Sequence, residues 1–223
     1  MSGDEWSVLA LSLRTAALAV AIILPPGLLL AWLLARRNFP GQSLLETLLA
    51  LPLVMPPVAT GLILLRLLGR RSAIGGWVQD VFGADIVFTW RAVVVAMAVM
   101  SLPLLVRGAR HAFEAVDPRF EQVARTLGAS WPRIFAELTL PLARRGIVGG
   151  LLLAFARALG EFGATIMVAG NIPGRTTTLS LAIYGHVQLG EDDAAFRLLA
   201  ISVTVAFAVV WASEWFLRRS SVR

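Results

Sequence analysis

Five apolar runs alternate with polar segments along the 223 residues of this chain. The first contains 21 uncharged residues between Arg14 and Arg36. An α-helix rises about 1.5 Å per residue, so this run is long enough to cross the roughly 30 Å hydrocarbon core of a bilayer. Pro25, Pro26 and Gly27 lie in its middle. The pattern predicts a membrane-spanning helix with a kink at these residues.

Two further runs follow, over about residues 44–68 and 86–106. The centre of the run over 44–68 reads LPLVMPPVATG. Its prolines predict a broken or strongly bent span that faces protein or a cavity. The alternative is a kink that only improves packing. A glycine-rich loop is predicted between the two runs. Only 15 residues separate Arg91 from Arg107, so we expect Arg91 at the membrane interface with its side chain snorkelling.

The polar segment 107–145 contains two repeats of helical spacing. Asp117 and Pro118 predict a helix start, and Gly128 predicts its end. Ser130 is expected to cap a second helix. The apolar positions of the two repeats are Phe120, Val123, Ala124 and Leu127, and then Trp131, Ile134, Phe135 and Leu138. We therefore predict two short amphipathic helices that meet at Gly128 and dock a partner at the membrane surface.

The fourth run, from about residue 146, carries charges at membrane depth. Only eleven uncharged residues precede Arg157, and Glu161 follows four positions later. A lone charge at the bilayer centre costs about 2.5–3.5 kcal/mol, which the pair can offset by mutual neutralisation. Two interpretations stay open: a structural ion pair, or a direct role in a substrate path. The next segment turns at Asn171, and Arg175 to Thr178 provide donors for an anion or a partner's polar rim.

A short surface helix over 179–187, an acidic turn over 190–193 and a fifth apolar run over about 196–217 complete the chain. All 20 basic residues are arginines, and cysteine is absent. A phosphate loop or Schiff base needs a lysine, and the two histidines are 75 positions apart. We therefore predict no catalytic residue, no metal site and no bound cofactor. Any ATP must be hydrolysed by another chain.

Composition and charge indicate where the protein is located and how it is oriented. Hydrophobic residues make up 57% of the chain and charged residues 15%, which indicates a multi-pass membrane protein. The basic residues are scattered, so nucleic-acid binding is not expected. Twelve arginines fall on the side of segment 107–145 and of the C-terminus, which predicts that this side is cytoplasmic. Six fall on the opposite side with the N-terminus: Arg14, Arg70, Arg71, Arg91, Arg175 and Arg197.

The N-terminal MSGDEW lacks a basic region, so we expect the first run to be retained rather than cleaved. Five interrupted helices are too few to enclose a gated solute pathway comfortably. A dimer with one pore between its subunits is therefore predicted.

The stretch QVARTLGASWPRIFAELTLP resembles the EAA loop of binding-protein-dependent ABC importer permeases, whose pattern is E-A-A, three residues, G, nine residues, I-x-L-P. Gln122 stands at the glutamate position, beside Glu121, and Val123 and Leu138 also depart from the pattern. The resemblance implies that a group of loop residues couples the chain to an ATPase: Glu121, Gln122, Ala124, Gly128, Ala129, Leu138, Leu140 and Pro141.

Further stretches, above all FARALGEFGATIMVAGNIPGRTTTLSLAIY, resemble the molybdate or tungstate permeases of that family, and sulfate and thiosulfate permeases are similar there. The resemblance implies an all-α ABC type I importer transmembrane domain over residues 1–223, in the bacterial inner membrane. It also implies a translocation path or gate with Pro56, Pro57, Arg157, Glu161 and Asn171.

The implied partners are a second permease copy, a cytoplasmic ATPase pair that uses ATP and Mg²⁺, and an extracytoplasmic molybdate-binding protein. Uptake would proceed by alternating access. A proton-coupled carrier with Glu161 as its proton site is the less favoured alternative. An intramembrane enzyme is disfavoured because neither histidine has a serine partner in a span.

Overall fold

Every regular element over residues 3–218, the part of the chain that the structure describes, is helical in the computed structural model. The helices are α1 (Gly3–Arg36), α2 (Gln42–Val54), α3 (Pro57–Leu68), α4 (Ala73–Phe82), α5 (Trp90–Glu114), α6 (Pro118–Thr126), α7 (Trp131–Ile134), α8 (Leu140–Leu159), α9 (Gly163–Ala169), α10 (Leu179–Leu189) and α11 (Asp192–Arg218). A π-helical turn, Phe135–Thr139, joins α7 to α8. The all-α class is confirmed.

Each of the five predicted spans corresponds to a long apolar element. Within the described residues, four helices are long and apolar enough to cross a membrane: Glu5–Arg36, Trp90–Glu114, Trp131–Leu159 and Asp192–Ala212. The pair α2 and α3 forms the fifth span only if both halves are taken together, since they are bent by 111°. Met55 and Pro56 are extended at the break. The predicted broken second span is therefore confirmed.

The first helix is longer than predicted and passes through its prolines. It begins at Gly3, contains Arg14, and continues through Pro25 and Pro26 as one element. Gly27 lies against α5, where an added Cβ would be 2.8 Å from the Leu105 side chain. The small residue after the prolines thus lets α1 and α5 approach closely.

Two predicted loop boundaries are wrong. The segment after Arg71 is not a glycine-rich loop but helix α4, capped by Ser72, whose hydroxyl accepts the Gly75 amide at 2.9 Å. Gly75 allows α4 to pack against the backbone at Gly69. Helix α5 continues beyond Arg107 to Glu114, so less of segment 107–145 is loop than predicted.

Ion pairs explain why α5 can continue past the predicted membrane edge. The Arg110 guanidinium lies 2.8 Å from the Glu46 carboxylate on α2 and 2.7 Å from that of Glu114, one turn later. These contacts neutralise the polar end of α5 and tie it to α2.

Helix α5 is the centre of the bundle, between α1 and α8. Its contact with α8 is made by small residues spaced four apart on both helices: Gly108 and Ala112 on α5, Gly150 and Gly146 on α8. An added Cβ at Gly108 would be 2.7 Å from the Gly150 Cα, and one at Gly146 would be 2.6 Å from the Ala112 Cβ. The two backbones are therefore in direct contact.

The fourth span is also broken, which the sequence did not predict. Helix α8 ends at Leu159 and α9 begins at Gly163, so Glu161 lies in the break rather than one helical turn beyond Arg157. Helix α9 packs against α3 through glycines. An added Cβ at Gly163 would be 2.7 Å from the Pro57 Cβ. The halves of the two broken spans therefore contact each other.

Helices α10 and α11 complete the bundle, where α11 packs against α8 and α10. Helix α10 agrees with the predicted helix over 179–187 but is not simply a surface element, since Leu179, Leu181 and Ala182 are buried. Its first amide, that of Leu179, donates to the Ser12 hydroxyl on α1 at 2.8 Å. Gly190 ends α10 with φ 72° before α11 starts at Asp192.

Candidate functional site

Helix α6 begins where the sequence predicts. The Asp117 carboxylate accepts a hydrogen bond from the Arg119 amide at 2.9 Å, and Pro118 occupies the first helical position. A short acceptor side chain satisfies an amide that has no partner within the helix, and proline has no amide to satisfy. The predicted start of the first amphipathic helix is confirmed.

The end of α6 is fixed by Gly128, which has φ +82°. The Gly128 amide donates to the Arg125 carbonyl at 2.9 Å, and the Ala129 amide donates to the Ala124 carbonyl at 3.1 Å. These two bonds form a Schellman motif, which requires the left-handed conformation that glycine adopts most readily. No atom would lie within 4 Å of an added Cβ, so the requirement at Gly128 is conformational rather than steric.

The apolar face of α6 points away from the protein. Phe120 is 55% exposed, Val123 58% and Leu127 82%. Glu121, a charged residue, is instead only 9% exposed. An amphipathic helix normally buries its apolar stripe. This helix has the reverse orientation, and its outer surface is an apolar patch available to a partner.

Glu121 joins three elements in one polar cluster. Its Oε1 accepts from the Arg36 Nε at 3.1 Å, at the end of α1, and from the Thr139 hydroxyl at 3.0 Å, in the π-helical turn. The Arg36 Nη2 also donates to the Val116 carbonyl at 2.8 Å. Charge-assisted hydrogen bonds are stronger than neutral ones. The cluster therefore holds α6 against α1 and the base of α8.

Gln122, next to Glu121, has the opposite environment. It is exposed and lies at the position where the EAA pattern has its glutamate. The carboxylate of Glu121 is committed to Arg36 and Thr139 within the chain. Glu121 therefore does not present a carboxylate on the exposed surface in place of the absent glutamate.

The second half of the predicted docking element differs from the prediction. Rather than forming a separate short helix, α7 runs through the π-helical turn into α8 without a break. Ser130 makes no side-chain capping bond, so the predicted cap is wrong. Because the backbone continues into the span, the segment acts as the cytoplasm-facing end of α8 in the predicted orientation.

The apolar residues of α7 pack against the bundle, unlike those of α6, although Trp131 remains 39% exposed. The Trp131 ring is 4.7 Å from the Trp32 ring of α1, edge on, and is stacked with Phe135 at 5.8 Å. Phe135 also contacts Phe113 of α5 at 6.0 Å, and Ile134 is buried. Edge-to-face and offset-stacked rings stabilise such contacts. This aromatic cluster fixes α7 to the bundle.

Pro141 accounts for the π-helical turn. It has no amide with which to continue the helical ladder, and it lies in the first turn of α8. Just before it, the Leu140 amide donates to the carbonyl of Phe135, five residues earlier. A π-bulge is a recognised way to accommodate such an interruption in a continuous helix. Among the residues predicted for coupling, Pro141 is exposed. Four others are half-buried: Ala124, Ala129, Leu138 and Leu140.

A second group of predicted residues surrounds a cavity of about 550 Å³. Pro57, Arg157 and Glu161 line it, and Pro56 precedes Pro57 as the cap of α3. Asn171 does not line it. Its side-chain oxygen instead accepts from the Thr177 hydroxyl at 2.7 Å in the loop before α10. The structure thus brings three of the five predicted pathway residues together at the breaks of two spans.

Glu161 is the buried member of this group, with its side chain 1% exposed. Its Oε2 lies 2.7 Å from the Arg157 Nη1, and its Oε1 accepts from the Ala164 amide at 2.8 Å. The carboxylate therefore bridges the break, paired with α8 and bonded to the first turn of α9. The Arg157 side chain is 27% exposed and borders the cavity. The predicted ion pair is present, and one of its members borders open space.

Two residues of the Glu121 cluster were missed by sequence reasoning. In the sequence, Arg36 marks only the end of the first apolar run, and Thr139 lies between pattern positions of the EAA loop. Arg36 is 85 residues from Glu121 in sequence, and no local pattern connects positions so far apart. Thr139 follows Ile134 by five residues, a spacing that does not predict a contact with α6.

The chain is similar over most of its length to membrane components of importers. Residues 27–221 match the family of binding-protein-dependent transport system inner membrane components. The molybdenum transport system permease protein ModB of Escherichia coli strain K12 is 49% identical over 224 residues, covering 100% of this chain and 98% of that protein. ModB of Haemophilus influenzae is 43% identical, covering 96% of this chain and 94% of its own length.

More distant relatives show the breadth of the group. The sulfate transport system permease protein CysT of Escherichia coli strain K12 is 38% identical, covering 86% of this chain and 71% of that protein. In structure, an inward-facing form of the MetNI methionine ABC transporter has a TM-score of 0.70 at 17% identity, covering 98% of this chain and 99% of that chain. This last likeness establishes the fold.

Proposed function

We propose, from the premise that this chain belongs to the family of binding-protein-dependent transport system inner membrane components, that it is the permease subunit of an ATP-driven molybdate or tungstate importer. The chain is a multi-pass inner membrane protein with the fold of ABC type I importer transmembrane domains. Two copies enclose one pathway, which opens alternately to the two sides of the membrane. The N-terminus lies outside and the C-terminus in the cytoplasm.

The observation that carries this proposal is the reversed orientation of α6. Its apolar residues Phe120, Val123 and Leu127 are exposed while Glu121 is turned inward. An exposed apolar helix face rimmed by charged residues is suited to insertion into a groove of a cytoplasmic ATPase. The residues predicted for coupling lie on α6, in the turn that follows it, in the π-helical turn and at the start of α8.

Coupling then requires no chemistry in this chain. ATP and Mg²⁺ act in the partner ATPase, whose closure shifts α6 and, through the Glu121 cluster, the bases of α1 and α8. Nucleotide binding biases an equilibrium between two permease conformations, because it favours one of them. An extracytoplasmic molybdate-binding protein delivers the oxyanion on the other side. The cavity beside Arg157 and Glu161 is the part of the structure best suited to border the path.

The similarity to ModB supports molybdate as the cargo, and the weaker similarity to CysT supports sulfate as the second candidate. The deciding experiment reconstitutes the permease with its ATPase and its binding protein in lipid vesicles. Molybdate or tungstate should stimulate ATP hydrolysis and accumulate inside, and sulfate at the same concentration should not. Stimulation by sulfate alone would assign the alternative cargo. Uptake that follows a proton gradient and ignores ATP would contradict an ATP-driven importer.

A further inference from the structure

We propose that Arg14, Arg91 and Arg175 form a binding site for a tetrahedral oxyanion, separate from the cavity at Arg157. The three residues are far apart in sequence and were predicted, from topology alone, to lie on the same side of the membrane. That this side is outside rests on the orientation proposed above. The anion site itself depends only on the geometry that follows.

The three arginines line one cavity of about 440 Å³. Arg14 comes from α1, Arg91 from the first turn of α5, and Arg175 from the loop between α9 and α10. The remaining lining residues are Leu11, Thr15, Thr89, Trp90 and Gly174. All three arginines are exposed, so an anion can reach them from solvent.

Trp90 organises two of the three positive charges. The Arg14 Cζ is 5.8 Å from the centroid of the Trp90 ring, and the Arg91 Cζ is 5.6 Å from it. A tryptophan ring attracts guanidinium groups through its quadrupole. One aromatic side chain thus holds two cations beside the same cavity without neutralising either.

Within residues 3–218, no carboxylate forms an ion pair with any of the three arginines of the cavity. Of the six arginines assigned to this side, Arg70 pairs with Asp85 at 2.7 Å and Arg197 with Glu5 at 3.1 Å. Asp85 gives Arg91 only its backbone carbonyl, at 3.4 Å. Like charges gathered at one cavity repel each other, so binding an anion there is favourable.

The walls of the cavity are fixed to the bundle by hydrogen bonds. The Phe88 amide, just before α5, donates to the Val168 carbonyl of α9 at 3.1 Å. The Leu179 amide donates to the Ser12 hydroxyl of α1. Thr176 spans its own loop, since its hydroxyl accepts from the Ile172 amide at 2.9 Å and donates to the Gly170 carbonyl at 3.1 Å. The three arginines therefore project from a rigid frame, which lowers the entropy lost on binding.

This loop also corrects the sequence prediction for Arg175 to Thr178. The hydroxyls of Thr176 and Thr177 are engaged within the loop, and Thr176 and Thr178 are buried. The threonines are therefore not the donors for an anion. Arg175 keeps that role, with partners from α1 and α5 that the sequence does not reveal.

The ligand chemistry follows from the donors. A guanidinium presents planar, paired N–H groups that match the oxygens of phosphate-like anions, and the cavity has room for such an anion with part of its hydration shell. Two sources provide it: a soluble oxyanion such as molybdate or sulfate, and the phosphate of a lipid headgroup. Trp90 is typical of residues at a membrane interface, where both are within reach.

The experiment measures oxyanion binding without transport, so that its failure is independent of the uptake test. The permease–ATPase complex is placed in phosphatidylcholine nanodiscs without binding protein, and radiolabelled molybdate and sulfate are titrated at constant ionic strength. Arg14→Gln, Arg91→Gln and Arg175→Gln should each weaken binding about tenfold, the effect of one lost charge-assisted contact. Arg71→Gln, an exposed arginine assigned to the same side but outside the cavity, should leave binding unchanged.

A second arm identifies the source of the anion. Nanodiscs that contain one third phosphatidylglycerol should lower molybdate binding to the unsubstituted complex if a headgroup competes for the site. Unchanged binding would assign the site to soluble oxyanions, and both results support an anion site. Equal binding by the three variants and the parent complex, with thermal stability preserved, would overturn it. Variants that keep molybdate binding but lose affinity for the binding protein in a separate pull-down would also overturn it, since the arginines would then contact protein carboxylates.

Discussion

Glu121 and Gln122 show how strongly the environment of neighbouring residues can differ. Glu121 is held by Arg36 and Thr139 in a buried cluster, whereas Gln122 is exposed on the surface of α6. The first residue therefore contributes to the stability of the permease, and the second is available to contact a partner.

We predict that Glu121→Gln lowers the free energy of unfolding by about 1–3 kcal/mol, because it leaves the partly buried Arg36 guanidinium without its countercharge. Arg36→Gln should have a similar effect, and the double variant should lose less than the sum, as expected for two contacting residues. Thermal unfolding in detergent micelles measures all three. Gln122→Ala is the matched control and should unfold at the parent temperature. Additive losses would show that the two residues do not act as a pair.

Gly128 allows a test of backbone conformation without any steric effect. Its φ is +82° and its Cβ position is open, and the same holds for Gly41 between α1 and α2, with φ +89°. A leucine at either place incurs a similar strain of about 1–2 kcal/mol. Only at Gly128 does the strain change the direction of α6 relative to α7.

We therefore expect Gly128→Leu to abolish ATP-coupled molybdate uptake while the protein still assembles in the membrane. Gly41→Leu should retain most of it. Uptake in reconstituted vesicles and co-purification of the ATPase are the measurements. Normal uptake by Gly128→Leu would contradict a coupling role for the α6–α7 turn.

At the scale of elements, glycine contacts set how closely the helices pack. Helices α5 and α8 meet backbone to backbone at Gly108 and Gly150, and α3 meets α9 at Gly61 and Gly163. In a membrane, association depends on such close van der Waals contact, since lipid is as apolar as the side chains.

We predict that Gly108→Ala destabilises the bundle by about 1–3 kcal/mol, because the new methyl would be 2.7 Å from a backbone atom that cannot move independently. Gly160→Ala is the control: its Cβ would lie 3.8 Å from the Ala156 carbonyl, an ordinary contact, and φ is not positive there. The two variants are compared by thermal unfolding in micelles. Equal melting temperatures for both would show that the α5–α8 contact tolerates separation.

Elements that depend on local chemistry could be predicted from the sequence, and those that depend on tertiary contacts could not. The cap at Asp117, the turn at Gly128 and the break at Pro56 and Pro57 follow from backbone chemistry. The spacing of α6 and α7 is the same, yet one apolar face points outward and the other inward. Periodicity gives the stripe, but the ion pair with Arg36 decides which side of α6 faces the bundle.

The candidate site divides in the same way. Pro57, Arg157 and Glu161 stand out in the sequence as a proline and two charges within apolar runs, and the structure places them around one cavity. Asn171 lies elsewhere, in the loop before α10, where its side chain accepts from the Thr177 hydroxyl. Charge and proline content mark unusual positions in a span. They do not show which of these positions meet.

At the scale of the whole molecule, the arrangement of five spans predicts an orientation that the natural lack of cysteine makes easy to test. Asp193→Cys, in the first turn of α11, should react with a membrane-impermeant maleimide added to spheroplasts. Arg119→Cys, in α6, should react only after permeabilisation. Both residues are exposed, so accessibility does not bias the comparison. The opposite labelling pattern would invert the topology and move the apolar face of α6 to the outside.

The continuous helical segment Trp131–Leu159 has a mechanical consequence. Its Gly146 and Gly150 lie directly against α5, and we expect the segment to tilt about this contact. At about 1.5 Å per residue, the arm towards Trp131 is about 22 Å long and the arm towards Arg157 about 10 Å. A tilt about this point moves the two ends in opposite directions, the inner end by about half as much. In the orientation proposed above, we therefore expect a displacement applied at the Trp131 end to reach Glu161 at about half its size.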